Sequence, residues 1–213
     1  MYNNKGKNFW GDTLKYLIKN INDIDSLSIK NFLKKCKDCD LSYINKIKNL
    51  KKRKQTIVGK ILLANLLKKE YNINYFDIEI NYNYNGKPFF NNLNIFFNIS
   101  HSYDMVICVI SNSKIGVDIE KIVDINPKFT NIFLTTSEKE YVNYPAKNYN
   151  KRFFQIYTLK ESYIKAMGNS ILKNSNISFA YKNNTLTCSN KLILFKTIES
   201  VENYIISICW IKA

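Results

Sequence analysis

The stretch YDMVICVI at 103–110 returns as YIISICWI at 204–211, with Tyr, Ile, Cys and Ile recurring at a constant offset of 101 residues. Each copy closes a run of helix followed by strands. Self-similarity at that interval predicts two similar α+β halves of about 100 residues each. The 213 residues are enough for one large domain or two small ones with a real core. The expected division is 1–114 and 115–213. No Pro- or Gly-rich linker separates the halves, so they are expected to pack tightly.

The local patterns agree with a mixed fold. Residues 26–70 read as helix in two or three pieces, clearest over Thr56–Lys69, where Val58, Ile61, Leu62 and Leu66 keep helical spacing. Strands are expected at 77–80, 95–100 and 105–110, the last turning at 111–114 into IGVDIE. Ser137 and Glu140 have capping-box spacing. A long helix is expected from about Lys151 to Met167, stopped by Gly168, with strands at 177–181, 185–188, 192–197 and 204–211.

Composition excludes several classes. Hydrophobic residues make up 46% and aromatics 14%, too many for a disordered chain. No apolar stretch reaches the roughly 20 residues of a membrane span. The start, MYNNKGKNFW, lacks the apolar core of a secretory signal. A cytoplasmic protein is expected. The five scattered cysteines form no disulfide framework. Cys36-Lys-Asp-Cys39 has zinc-ligand spacing, but no second pair follows, and two incidental thiols on a helix edge is the better reading.

The net charge is +15 and uneven: up to Tyr75 there are 17 Lys and Arg against 6 acids, and beyond it 15 against 11. Such a surface attracts anionic partners, although a solvated helix face explains many single lysines equally well. Against that background IGVDIEKI places Asp118 and Glu120 two positions apart in an apolar strand. They face the same way, about 7 Å apart, and repel unless a cation or proton lies between them. Either they are a solvent-facing pair at a strand end, or they are oxygen ligands of the kind that suits Mg²⁺ with substrate phosphates.

In YTLKESYIKAMG, 157–168, an apolar arc runs through Phe153, Ile156, Tyr157, Tyr163, Ile164 and Met167, with Lys160 near its middle. A lysine there must snorkel or meet an anion. Glu161 and Lys165 read equally as an ordinary i,i+4 pair. His101, the only histidine, lies between two serines in FNISHS, a good place for a phosphate contact. NGKP at 85–88 reads as a turn with Lys87 at its rim.

Taken in order, NGKP, FNISHS, GVDIEKI and KES-x-x-K-x-x-G resemble the motif series of the 4'-phosphopantetheinyl transferases of the surfactin-synthetase-activating (Sfp) type, over roughly 50–211. The resemblance implies an α+β pseudo-dimer of two similar halves with its active site at their junction. It implies transfer of the 4'-phosphopantetheine of coenzyme A to a serine of an apo acyl or peptidyl carrier protein, releasing 3',5'-adenosine bisphosphate. Asp118, Glu120 and Glu161 then match the Mg²⁺ ligands, and Glu161 the base for the acceptor serine. Lys160 and Lys165 match the helix lysines, with Lys165 stabilising charge on the pyrophosphate. Ser100 and His101 match contacts to the 3'-phosphate of coenzyme A, and Gly86, Lys87 and Pro88 the strip beside its adenine nucleotide. The implied partner is an acidic carrier protein, with no membrane or nucleic acid involved, and the implied enzyme is a monomer.

Three departures accompany the resemblance: Tyr157 where many relatives carry Trp, Tyr103 where many carry Gly, and Gln55 where an arginine is usual, with Arg53 or Lys54 nearby as substitutes. Two other classes remain open on the residues alone. One is a basic nucleic-acid-binding protein, for which no recognised motif is present. The other is a different Mg²⁺-dependent phosphate enzyme, such as a nuclease, using the same three acids.

Overall fold

The computed structural model describes residues 14–130, 132–143, 148–168, 177–182 and 185–212. The chain divides into two compact units, Met1–Asn112 and Ser113–Ala213. The fold is α+β.

The first unit runs β1 (Lys15–Asn20), α1 (Ser26–Lys35), α2 (Asp38–Lys46), α3 (Leu50–Tyr71), the short strands β2 (Ile80–Tyr82) and β3 (Pro88–Phe90), then β4 (Phe96–Ser102) and β5 (Met105–Ser111). Its antiparallel sheet has the order β1-β5-β4, and β2 pairs with β3 in a separate hairpin. The long helix α3 starts where the Asn49 side chain accepts from the Lys52 amide at 2.9 Å. It ends where Asn72 adopts a left-handed φ of 56° and the Ile73 amide reaches back to Leu67 O at 3.1 Å. Val58, Leu62, Leu63, Leu66 and Leu67 of α3 are buried with Val106, Cys108 and Ile110 of β5 in one core. Lys60, buried within α3, donates to Asp40 at 2.7 Å and to the Tyr75 hydroxyl at 3.2 Å, and this network ties α2 to α3. Beside it, burial pushes the Cys36 thiol up to about 11, while Cys39 is exposed.

The second unit runs β6 (Ile115–Lys121), α4 (Pro127–Thr130), α5 (Thr136–Asn143), α6 (Tyr149–Met167), the hairpin strands β7 (Phe179–Lys182) and β8 (Thr185–Cys188), then β9 (Ile193–Ile198) and β10 (Tyr204–Ile211). Its sheet has the order β6-β10-β9. Each unit therefore repeats one plan: an edge strand, a long helix, a two-stranded hairpin, a far-edge strand and a central strand. The central strands β5 and β10 are the two copies of the repeated sequence, and Cys108 and Cys209 are both fully buried in them.

The core of the second unit depends on a close approach. A Cβ at Gly116 of β6 would lie 2.1 Å from Ser162 O and 2.3 Å from Ala166 N of α6. The helix presents Thr158, Ser162 and Ala166, all buried, toward the sheet. Thr158 and Ser207 of β10 share a hydroxyl hydrogen bond at 2.7 Å, and the Ser162 hydroxyl lies 3.0 Å from Cys209 Sγ. The expected apolar arc holds in part: Phe153, Ile156 and Ile164 are buried, Tyr157 and Tyr163 are half-buried against the core of this unit, Met167 is exposed, and the face nearest β6 is made of small residues. A helix this near a strand backbone has no room for aromatics there.

Other differences are local. The expected strand at 77–80 is a 3-10 turn, Tyr75–Asp77, followed by β2. β1 and α4 have no counterpart in the expected elements, and β4 extends through His101 and Ser102. The capping box lies two residues earlier than expected: the Thr135 amide donates to Glu138 Oε2 at 2.7 Å, and the Glu138 amide points back to Thr135 Oγ1 at 3.4 Å. Among the described residues, no helix is long and apolar enough to cross a membrane.

Because the atoms around Gly116 are main-chain and cannot swing away, Gly116→Ala should cost more than about 3 kcal/mol, at or beyond the upper end for overpacking. Gly59→Ala meets side chains only, Ile99 at 2.7 Å and Val106 at 3.7 Å, and should cost less. Denaturant midpoints of the two variants check this ordering. Equal midpoints for Gly116→Ala and wild type would contradict it.

Candidate active site

Residues four apart on a helix share a face. With Thr158, Ser162 and Ala166 turned to the sheet, the preceding residue of each turn, Tyr157, Glu161 and Lys165, forms the adjacent stripe. On β6, Asp118 is 3% exposed, not a solvent-facing acid, whereas Glu120 is half-buried. Lys165 Nζ donates to Asp118 Oδ1 at 2.7 Å.

Electrostatics places the remaining carboxylates in the same neighbourhood. The Glu161 carboxyl is raised from its ordinary value of 4.5, first by burial and then by the charge of Asp118, with Lys165 opposing. The Tyr157 phenol is pushed up to about 12, by burial first and then by Glu161, Asp118 and Glu120 in turn. Three acids therefore act on one hydroxyl, and one ammonium lies against the most buried of them. Phe153 stacks on the Tyr157 ring at 5.7 Å between centroids, and Phe133 meets it edge-on at 6.2 Å.

Among the described residues, no three His, Cys, Asp or Glu side chains form a ready metal cage. Mg²⁺ rarely uses one; it keeps several waters and takes one or two carboxylates together with substrate phosphates. An all-carboxylate donor set, with an ammonium already in place as its counter-charge, fits that class of ion.

Lys160 differs from Lys165. Its ammonium is buried and donates to Glu138 Oε2 at 2.6 Å and to Phe133 O at 2.8 Å. Glu138 has no exposed surface, and its other oxygen accepts from the Phe179 amide at 3.0 Å. The anion that the sequence demands for Lys160 is thus inside the same unit. Glu138 is absent from the residues singled out by sequence, although Thr135-x-x-Glu138 has the same capping-box spacing as Ser137 and Glu140.

In the first unit, Gly86 (φ 79°) sits in the turn between β2 and β3, where Asn83 Oδ1 accepts from the amides of Asn85 and Lys87 at 3.0 and 2.8 Å. Lys87 and Pro88 follow it into β3. Phe90 of β3 packs against Phe97 of β4 with ring centroids 4.6 Å apart. Ser100 and His101 are neighbours on β4 and so face opposite sides; Ser100 is buried, His101 half-buried. Gln55 is buried and donates to Tyr103 O at 2.6 Å, securing a turn in which Tyr103 has a φ of 52°. That left-handed conformation is easiest for Gly, so Tyr103 holds it against its own preference. Arg53 is committed elsewhere, to Ile47 O at 2.9 Å and Asn45 O at 3.4 Å.

Residues 114–209 match the family model of the 4'-phosphopantetheinyl transferase superfamily, and residues 23–113 match that of the 4'-phosphopantetheinyl transferase N-terminal region. The two segments meet where the two compact units meet. The chain belongs to the 4'-phosphopantetheinyl transferase superfamily.

Its similar relatives include 4'-phosphopantetheinyl transferase gsp of Aneurinibacillus migulanus, 38% identical over 65% of this chain and 59% of the relative. Another is 4'-phosphopantetheinyl transferase Sfp of Bacillus subtilis (strain 168), 32% identical over 55% of this chain and 53% of the relative. A further Bacillus subtilis 4'-phosphopantetheinyl transferase is 27% identical over 73% of both chains. The chain thus spans between half and three-fifths of the length of the first two.

A carboxyl held above its ordinary value by the fold binds its proton more tightly when folded, so the ionised form opposes folding. Stability is lost as pH rises from the unfolded value of 4.5 through the raised one. Glu161→Gln removes that opposition. Its melting temperature should exceed wild type at pH 7 and match it near pH 4, where both side chains are neutral. A lower melting temperature than wild type at pH 7 would contradict the proposed environment of Glu161.

Proposed function

We propose that this protein transfers the 4'-phosphopantetheine group of coenzyme A to a serine of an apo acyl or peptidyl carrier protein, working in the cytoplasm as a monomer with Mg²⁺. The observation that carries the reading is the Lys165–Asp118 pair beside Glu161, set on the helix and strand that hold the family's motifs. The net charge of +15 supports an acidic carrier as acceptor, since complementary charge raises the rate of encounter. Nothing specific favours nucleic acid over that partner.

Asp118, Glu120 and Glu161 would hold the Mg²⁺, which when bound supplies positive charge to the pyrophosphate of coenzyme A. The chain's own residues do the rest. Glu161 is proposed as the base that accepts the proton of the acceptor serine, directly or through a water. The serine oxygen forms a bond to the phosphorus of phosphopantetheine as the phosphoanhydride bond breaks, and the electron pair leaves on 3',5'-adenosine bisphosphate. Lys165 donates to the oxygens on which that charge grows. His101, on the more open face of β4, is proposed to meet the 3'-phosphate together with the main chain at Ser100. Gly86, Lys87 and Pro88 form a turn suited to lie beside the nucleotide.

The test is mass spectrometry of apo carrier proteins from fatty-acid, polyketide and peptide-synthetase systems, incubated with the protein, Mg²⁺ and coenzyme A. One or more should gain a single phosphopantetheine on serine; no gain on any of them contradicts the reading. Kinetics then divides the site. A charge-assisted hydrogen bond is worth roughly 1.5–3 kcal/mol, so each loss should change a rate or a KM about ten- to a hundredfold. His101→Ala should raise KM for coenzyme A and lose the preference over 3'-dephospho-coenzyme A. Lys165→Ala should lower kcat and keep that preference. A His101→Ala variant that discriminates as well as wild type removes His101 from the 3'-phosphate.

A further inference from the structure

The Glu138–Lys160 pair is more than one ion pair. A single carboxylate with no exposed surface gathers the Thr135 amide, the Lys160 ammonium and the Phe179 amide at 2.7, 2.6 and 3.0 Å, and Lys160 adds Phe133 O at 2.8 Å. Three separate pieces of chain converge there: the segment entering α5, the middle of α6 and the start of β7.

Burying two charges is costly even when they meet, and apolar residues of the same volume would pack there at no such cost. Hydrogen bonds, unlike apolar contacts, fix direction. Lys160 immediately precedes Glu161, and successive helix residues are rotated by about 100°. Holding Lys160 toward Glu138 therefore sets the rotation of α6 at Glu161. The same ammonium anchors Phe133, whose ring lies edge-on to Tyr157, one turn before Glu161.

We infer that Glu138 and Lys160 are positioning residues: their buried pair fixes the rotation of α6 and with it the direction in which Glu161 and Lys165 face Asp118. This rests on the transfer reaction proposed above. Lys160 then acts through Glu161 and touches no part of coenzyme A.

The experiment compares Lys160→Met, Glu138→Gln and the double variant. Lys160→Met alone leaves a buried charge without its partner and is the variant most exposed to misfolding. The double variant removes both charges and keeps the volumes. In the folded double variant kcat should fall by tenfold or more, because small misplacements of reacting groups cost up to about a hundredfold. KM for coenzyme A should stay within about threefold of wild type. The losses in kcat of the two single variants should exceed that of the double variant when combined, since groups in one network do not act independently. A wild-type kcat in the folded double variant overturns the inference. So does a tenfold rise in KM for coenzyme A confined to Lys160→Met, which makes Lys160 a direct contact. Amide hydrogen exchange decides independently of turnover: the α6 amides around Glu161 should exchange faster in the double variant, and unchanged exchange overturns the brace. A wild type that transfers nothing counts against the reaction itself, and the exchange result still decides the brace.

Discussion

At Gly116 the backbone of α6 comes so near β6 that a side-chain carbon would lie 2.1 Å from Ser162 O, and the chemistry of the second unit follows from that approach. Only small residues fit between helix and strand, so Thr158, Ser162 and Ala166 take the inward stripe. The adjacent stripe is then Tyr157, Glu161 and Lys165, with its finer direction the part that the Glu138–Lys160 pair is inferred to set. Asp118, two residues beyond Gly116 on the same strand, is brought within 2.7 Å of Lys165. Sequence gives the glycine, the glycine sets the distance between helix and strand, and the distance brings the charges together.

Two lysines five residues apart on one helix have opposite fates, and burial decides which is which. Lys160 is buried with Glu138, and removing one partner of such a pair costs roughly 3–5 kcal/mol. Its ammonium is not available to a ligand at any ordinary cost. The Lys165 side chain is 31% exposed, so its ammonium meets water, although its partner Asp118, at 5%, does not. In the proposed reaction Lys165 would turn from Asp118 toward a phosphate, with the cation supplying the counter-charge instead. On the readings proposed above, the buried lysine holds the helix and the part-exposed one meets the phosphate.

The fold was legible to the extent that it is repetitive. The 101-residue repeat marks β5 and β10, the central strands of two sheets with the same order of elements, so one weak similarity located both cores. The acids, the lysines and the GVDIE and KES spacing were legible because each is a fixed offset along one element. What sequence could not show was orientation. Periodicity found the apolar arc, of which Phe153, Ile156 and Ile164 are buried, but not the small-residue face against β6, because it counts apolar residues and does not sense how near the partner backbone lies. The partner of Lys160 lies 22 residues away, and spacing alone could not choose Thr135 and Glu138 over Ser137 and Glu140. Nor could spacing show that β4 runs on through His101, so that the side chains of Ser100 and His101 take opposite sides.

The central claim is that Asp118, Glu120 and Glu161 bind a divalent cation in partnership with the pyrophosphate of coenzyme A. The direct measurement is calorimetric titration of Mg²⁺ into the protein with and without coenzyme A, and of coenzyme A with and without Mg²⁺. Binding free energies are reciprocal, so each ligand must strengthen the other by the same factor. The account predicts a factor of about ten or more, abolished in Asp118→Asn. Equal affinities with and without the second ligand, or coupling that survives Asp118→Asn, would contradict it.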